Sequence, residues 1–279
     1  MINKTIDIWE GYTYHSEGED GFRPYMDTYI LGRDKVRGAV LICPGGAYAK
    51  TSDREAEPIA MQFAAAGFHT FVLYYSVAPR KHPQPIRDVA RAMTIIRENA
   101  KEWKVDPSKV AVCGFSAGGH LAASIGVFYG RSEHFEGVAG INQELLRPDA
   151  LILGYPVITS GEYAHKRSYL NLLGEDADDE LMRYMSPENY VTPDVPPTFI
   201  WHTYTDNAVP VENTLMFAQK LRENSVPFEM HVFPNGPHGL SLATEETGEP
   251  GTSGTSRHIS KWITFCIEWL KETFDIVYI

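Results

Sequence analysis

Three side chains far apart in this 279-residue chain are of the types that together perform nucleophilic acyl chemistry. Ser116 lies in Gly114-Phe115-Ser116-Ala117-Gly118, between the apolar, β-branched run Val110 to Cys113 and an Ala/Leu-rich stretch that starts at His120. A strand, a sharp G-x-S-x-G turn and a helix in that order lift a serine hydroxyl above a sheet edge. Gly114 and Gly118 are required because a Cβ at either position would collide with the neighbouring strand or helix. Backbone strain at Ser116 is expected to accompany the turn. The helix that begins there aims its free N–H groups and its positive dipole end at whatever the hydroxyl attacks.

A serine is a weak nucleophile until a base takes its proton, and the base needs a carboxylate to fix its tautomer and stabilise its charged form. Both partners are available downstream in workable order. Asp206, in Tyr204-Thr205-Asp206-Asn207-Ala208-Val209-Pro210, directly follows one expected strand, and His238, in Pro234-Asn235-Gly236-Pro237-His238-Gly239-Leu240, follows the last one. Asp206 is also placed to cap the next helix, and the two roles can coexist. A tetrahedral intermediate would need amide donors for its oxyanion. The N–H of Ala117 is one, and the glycine-rich loop Pro44-Gly45-Gly46-Ala47-Tyr48 offers those of Gly46 and Ala47.

Other polar residues have simpler readings. His120 falls on the helix face of Ser116 and reads as a packed or capping histidine; His202 reads as a core or edge residue of its strand. Cys113 lies within a strand and is no thiolate nucleophile. Asp53, Glu55 and Glu57 read as the solvated start of a helix. Tyr48, Tyr155, Trp201 and Tyr204 could line a sugar or aryl pocket, with core packing as the default. No carboxylate pair distinctive of a glycosidase is evident.

The elements that must position these residues alternate along the chain. Two early strands at 5–10 and 25–31, joined by a Gly/acidic turn, open the sheet antiparallel; a buried strand at 37–43 feeds the glycine loop. A helix at 54–66, a strand at 69–76, a helix at 86–101 and the strand carrying Cys113 follow, then strands at 150–155, 198–202 and 228–233 with helices at 211–223 and 255–273. This is an α/β pattern: a doubly wound, mostly parallel sheet with helices on both faces, in a single domain spanning 1–279. The irregular stretch 156–196 is too long for a simple crossover and reads as a small lid or cap insertion. Thr244 to Ser256, rich in Gly, Thr and Glu, is the expected mobile loop.

Bulk properties narrow the partners. The formal net charge of −11 and the lack of any basic block argue against nucleic acid and anionic membrane surfaces. No run approaches the roughly 18 apolar residues of a membrane span, and the first ten residues lack a secretory pattern. Cys43, Cys113 and Cys266 have no C-x-x-C spacing; they read as small buried hydrophobes in a reducing compartment, so a cytoplasmic location and no metal or cofactor are expected. A small-molecule ester is the expected partner, and a homo-oligomer stays open.

Taken together, the loop 44–48, the elbow 114–120, the acid turn 206–210 and Pro237-His238-Gly239-Leu240 resemble the α/β-hydrolase superfamily over nearly the whole chain. Within it they resemble esterases and sugar-ester deacetylases related to the BD-FAE and hormone-sensitive-lipase-like branches. The resemblance implies cofactor-free carboxylic-ester hydrolysis of acetylated carbohydrates or other short-chain esters by Ser116, His238 and Asp206. Pro44 stands where lipase-like relatives carry the histidine of H-G-G-G, which favours the sugar-esterase side, and Ser116 differs from the elbow cysteine of dienelactone hydrolases. The alternatives are an oligopeptidase-like serine hydrolase and a ligand-binding protein that keeps the fold without catalysis.

Overall fold

The computed structural model describes residues 2–14, 20–248 and 254–276. Its eight-stranded sheet consists of β1 (Ile2–Asp7), β2 (Tyr25–Ile30), β3 (Arg37–Cys43), β4 (His69–Tyr74), β5 (Val105–Phe115), β6 (Ala150–Gly154), β7 (Thr198–Thr203) and β8 (Phe228–Phe233). The spatial order is β1-β2-β4-β3-β5-β6-β7-β8. The first two pairings are antiparallel and every later one is parallel. The mostly parallel sheet expected from the sequence is what the chain forms.

Side-chain alternation along the central strands divides the core in two. Ala39, Leu41, Val110, Val112, Leu151 and Leu153 face one side, while Val40, Ile42, Ala111, Cys113, Ala150 and Ile152 face the other. A strand buried on both faces must be apolar at every position, which explains the unbroken hydrophobic runs. Helices α2 (Gln84–Glu98), α4 (Ala117–Phe128) and α7 (Glu212–Glu223) cover the first side; α3 (Ala100–Trp103) is a short continuation of α2. On the second side lie α1 (Glu57–Ala65) and α8 (Trp262–Thr273).

The stretch 156–196 carries α5 (Lys166–Leu173), α6 (Asp179–Tyr184) and a short 3-10 turn, Pro187–Tyr190. Several hydrogen bonds fasten it to the core. Asn213 of α7 accepts from the amides of Ile158 and Thr159 and donates to the Tyr163 carbonyl. The Asn171 amide donates to the Ala47 carbonyl at 2.7 Å.

Three boundaries differ from the expected ones. The first strand ends at Asp7, because the Asp7 carboxylate accepts the Trp9 amide and turns the chain while the Trp9 indole is drawn inward to donate to buried Asp88 at 2.8 Å. The helix expected at 54–66 begins as a 3-10 turn at Asp53–Glu55, breaks at Ala56 and resumes at Glu57, for a reason that lies in the site. The last helix starts at Trp262, where the indole donates to the Ser241 carbonyl. Of the loop 244–256, residues 249–253 lie outside the described residues, as does 15–19 of the expected N-terminal turn.

Candidate active site

Ser116 occupies the tip between β5 and α4 with φ 53° and ψ −119°, a conformation that L-residues rarely adopt. Hydrogen bonds over-determine it: its amide donates to the Gly154 carbonyl, and its carbonyl accepts from His120 and Val157. The flanking glycines have no room for a side chain. A Cβ on Gly114 would sit 2.0 Å from the Gly118 carbonyl oxygen, and one on Gly118 would sit 2.0 Å from that of Cys43.

The structure brings the three predicted side chains into one chain of hydrogen bonds. His238 Nδ1 lies 2.7 Å from Asp206 Oδ2, and His238 Nε2 lies 2.8 Å from Ser116 Oγ. An ionised carboxylate can only accept, so the proton of a neutral His238 sits on Nδ1, which leaves Nε2 to accept the serine hydroxyl. Asp206 is sealed from solvent. Its Oδ1 accepts from the amides of Ala208 and Val209, and its Oδ2 also lies 3.3 Å from Nε2 of His202. Burial alone would raise its pKa, yet the hydrogen bonds from His202, His238 and the backbone outweigh burial and hold the carboxyl well below the usual range. The expected helix-cap role is absent: α7 starts six residues later, with Val211 before it, and Asp206 closes a turn ahead of the helix. His202 is the core residue expected, with Nδ1 on Thr214 and Nε2 on the Val209 carbonyl.

Gly46 and Ala47 line the same cleft of about 730 Å³ as Ser116 and His238. They hold positive φ values of 132° and 55°. The turn closes through the amides of Ala49, Lys50 and Ser52, which donate to the carbonyls of Gly46 and Gly45, so its own hydrogen bonds do not consume the amides of Gly46 and Ala47. Ala117, the first residue of α4, supplies a third amide beside the serine.

His120 is buried beneath the elbow, where its Nε2 must donate to the Met185 carbonyl at 2.7 Å and its Nδ1 therefore accepts the Tyr48 hydroxyl at 2.8 Å. Burial pushes its pKa down to about 4. Tyr155 and Trp201 pack in the core, as does Tyr48, whereas Tyr204, also read as core, is exposed.

The sequence reading gives no sign of His165 and misreads Glu55, both of which line the cleft. His165, from the 156–196 stretch, lines it with Nδ1 against Ser168 Oγ at 2.8 Å. Burial and the nearby His238 lower its pKa. Glu55 is a correction: it is no solvated helix start but is only 4% exposed. Its carboxylate turns inward to accept from the Gly45 amide and the Tyr155 hydroxyl, and this turn breaks the helix at Ala56. Its neighbours Asp53 and Glu57 do face solvent.

The sheet order and the strained serine elbow at the carboxyl end of the central strand define an α/β-hydrolase. The BD-FAE family model matches residues 26–221, and the chain belongs to that family. It is 41% identical over 248 residues to endo-1,4-beta-xylanase B of Butyrivibrio fibrisolvens, covering 86% of this chain and 38% of that one. It is also 30% identical over 212 residues to an acetylxylan esterase of Xylanibacter ruminicola, covering 74% and 42%. The chain thus spans about two fifths of the length of these curated relatives. The crystal structure of an acetyl ester-xyloside bifunctional hydrolase from Caldicellulosiruptor lactoaceticus superposes with a TM-score of 0.87 at 36% identity, covering 99% of this chain and 97% of that one. No helix among the described residues is long and apolar enough to cross a membrane.

Proposed function

We propose that this α/β-hydrolase is a serine carboxylesterase that removes acetyl or other short acyl groups from carbohydrate esters. The observation that carries the reading is the relay of 2.8 Å and 2.7 Å from Ser116 through His238 to Asp206. In it, Ser116 Oγ attacks the acyl carbon while His238 Nε2 takes the hydroxyl proton and then gives it to the departing alcohol oxygen. Asp206 holds the imidazole and stabilises its charged form. The amides of Gly46, Ala47 and Ala117 receive the oxyanion. Water then repeats the sequence on the acyl-serine and releases the acid.

The cleft supports the substrate class. Its walls carry Lys50, Thr51, Ser52, Asp53 and His165, and among the described residues its apolar side chains are the methyls of Ala47 and Ala49. A long acyl chain would meet no large aliphatic or aromatic side chain among these, so part of the roughly 0.8 kcal/mol per buried methylene would be forgone, whereas sugar hydroxyls would find donors and acceptors. The names of the Xylanibacter and Caldicellulosiruptor proteins point the same way. Three buried, unpaired cysteines support a reducing compartment, the cytoplasm.

The test is hydrolysis of p-nitrophenyl acetate and acetylated xylo-oligosaccharides. Ser116→Ala is expected to lose about 10⁴-fold or more in kcat, and a fluorophosphonate probe is expected to label Ser116. Turnover should fall steeply as the acyl chain of p-nitrophenyl esters lengthens from acetyl to octanoyl. Full activity in Ser116→Ala would remove the mechanism, and preference for octanoyl would remove the substrate class.

A further inference from the structure

Glu55 is a buried acid that the relay leaves unused, and its two oxygens join the two backbone segments whose spacing decides whether that relay can work. Oε2 accepts the Gly45 amide at 2.7 Å, one residue ahead of the proposed oxyanion donors. The fit is close: a Cβ on Gly45 would lie 2.7 Å from that oxygen and 2.9 Å from Ser116 Cβ. Oε1 accepts the Tyr155 hydroxyl at 2.6 Å. The Tyr155 oxygen in turn accepts the amide of Ser241, three residues after His238, at 2.9 Å. The Tyr155 ring packs edge-on against the His238 ring, with centroids 5.1 Å apart.

The loop after His238 is also tied back to the residue before Glu55. Ser241 Oγ donates to the Arg54 carbonyl, and the Arg54 guanidinium donates to the carbonyls of Gly239 and Thr247. Burial pushes the Glu55 carboxyl toward its neutral form, while the hydrogen bonds from Tyr155 and Gly45 and the charges of His238 and Arg54 pull the other way. The Tyr155 oxygen already accepts from Ser241, so its hydrogen points to Glu55; the Gly45 N–H can only donate. Both Glu55 oxygens are acceptors, as an ionised carboxylate provides.

We propose that Glu55 is a positioning residue: its carboxylate locks the oxyanion loop in register with the loop bearing His238 and keeps a negative charge behind the imidazole. The inference rests on the esterase reading above. The benefit is geometric first. A misplacement on the order of 1 Å between donors and base can cost about 100-fold in rate. The charge adds to it, since a nearby anion favours the imidazolium formed during attack.

The experiment compares wild type, Glu55→Gln and Tyr155→Phe by kcat, KM and the pH profile of kcat/KM on p-nitrophenyl acetate, with thermal unfolding and fluorophosphonate titration of active sites on each. The groups around His238 are Asp206 at Nδ1, backed by His202, then Tyr155 edge-on to the ring, Glu55 through its charge with Arg54 beside that acid, and His165 in the same cleft. Of these charges only that of Glu55 changes in Glu55→Gln, and the amide NH₂ also removes one of the two acceptors that join Gly45 to Tyr155. Its kcat is expected to fall about 10- to 100-fold per titrated site with KM within about 3-fold, and the acidic limb to move to lower pH, because an imidazole without the adjacent anion loses its proton more readily. Tyr155→Phe leaves the acid and its Gly45 bond in place and removes the two hydrogen bonds of the hydroxyl, to Glu55 and from Ser241, so kcat should fall by less, about 3- to 10-fold, with the limb in place.

A folded Glu55→Gln with an unmoved limb and a full kcat per titrated site overturns the proposal. Should that variant not fold, unchanged kcat in Tyr155→Phe overturns it. Wild type that neither hydrolyses the ester nor takes the probe would defeat the esterase reading itself, and the proposal with it.

Discussion

Two histidines flank the Ser116 elbow, one above the sheet edge and one below, and the surroundings alone make them different groups. His238 sits on a loop at the cleft with one nitrogen on Asp206 and the other on the serine hydroxyl. His120 lies beneath, on α4, with one nitrogen on Tyr48 and the other on the Met185 carbonyl. The upper ring has a carboxylate to compensate a positive charge and an opening to the cleft. The lower ring is 1% exposed and faces only a hydroxyl and a carbonyl, so burial keeps it neutral. Imidazole chemistry therefore follows from the partner of Nδ1: a carboxylate there makes a base able to hold a proton, and a tyrosine hydroxyl there makes a structural strut.

Exchanging the partner of the upper ring should break the contrast most severely. With Asp206→Asn, Oδ1 can still accept the amides of Ala208 and Val209 while the new NH₂ group faces His238, which forces the opposite tautomer and leaves no acceptor for the serine proton. A fall in kcat of about 10⁴-fold on p-nitrophenyl acetate is expected. A variant that retained a tenth of wild-type turnover would show that the carboxylate does not distinguish the two rings.

Removing the lower ring should act on stability instead. His120→Ala leaves the Tyr48 hydroxyl without its acceptor, leaves the Met185 carbonyl only the Tyr169 hydroxyl at 3.3 Å, and opens a cavity, at a cost of about 2–5 kcal/mol in denaturant unfolding. The activity of the molecules that remain folded should stay within about 10-fold of wild type. A loss of turnover comparable to that of Asp206→Asn would place His120 in the chemistry.

The smallest effect expected is a graded one with pH. The folded pKa of His120, about 4, lies below the ordinary value of 6.5, so between these values the unfolded chain binds the additional proton. Stability is complete above about pH 6.5 and declines as pH falls toward 4, by at most roughly 3 kcal/mol from this residue. Half-buried His82, pushed down to about 3 by desolvation, adds in the same direction. Unfolding midpoints measured from pH 7 to 4.5 should fall in wild type and fall less in His120→Gln. Parallel curves for the two would mean that the lower ring is not the group titrating.

What the sequence disclosed and what it concealed separate along physical lines. Ser116 was legible because a strand, a glycine turn and a helix are all local, and a serine in that turn has one geometry. Asp206 and His238 were legible because a parallel sheet collects its strand-end loops at one edge. The antiparallel opening was legible from two short strands, although the end of β1 was not, since it depends on Trp9 reaching Asp88 nearly eighty positions later. Glu55 was invisible for the same reason. An Asp-Arg-Glu run before a helix looks solvated, and only a tyrosine one hundred residues onward turns its last residue inward. His165 also gave no sign, because its location depends on how the 156–196 stretch docks.

The Asn171 side chain grips the carbonyl of Ala47, and that carbonyl belongs to the peptide whose far side continues into Tyr48, the partner of His120. The 156–196 stretch and the residues beneath the elbow are thus fastened on either side of one peptide unit. Grafting a foreign 156–196 segment onto this scaffold would therefore transmit its fit into the glycine loop.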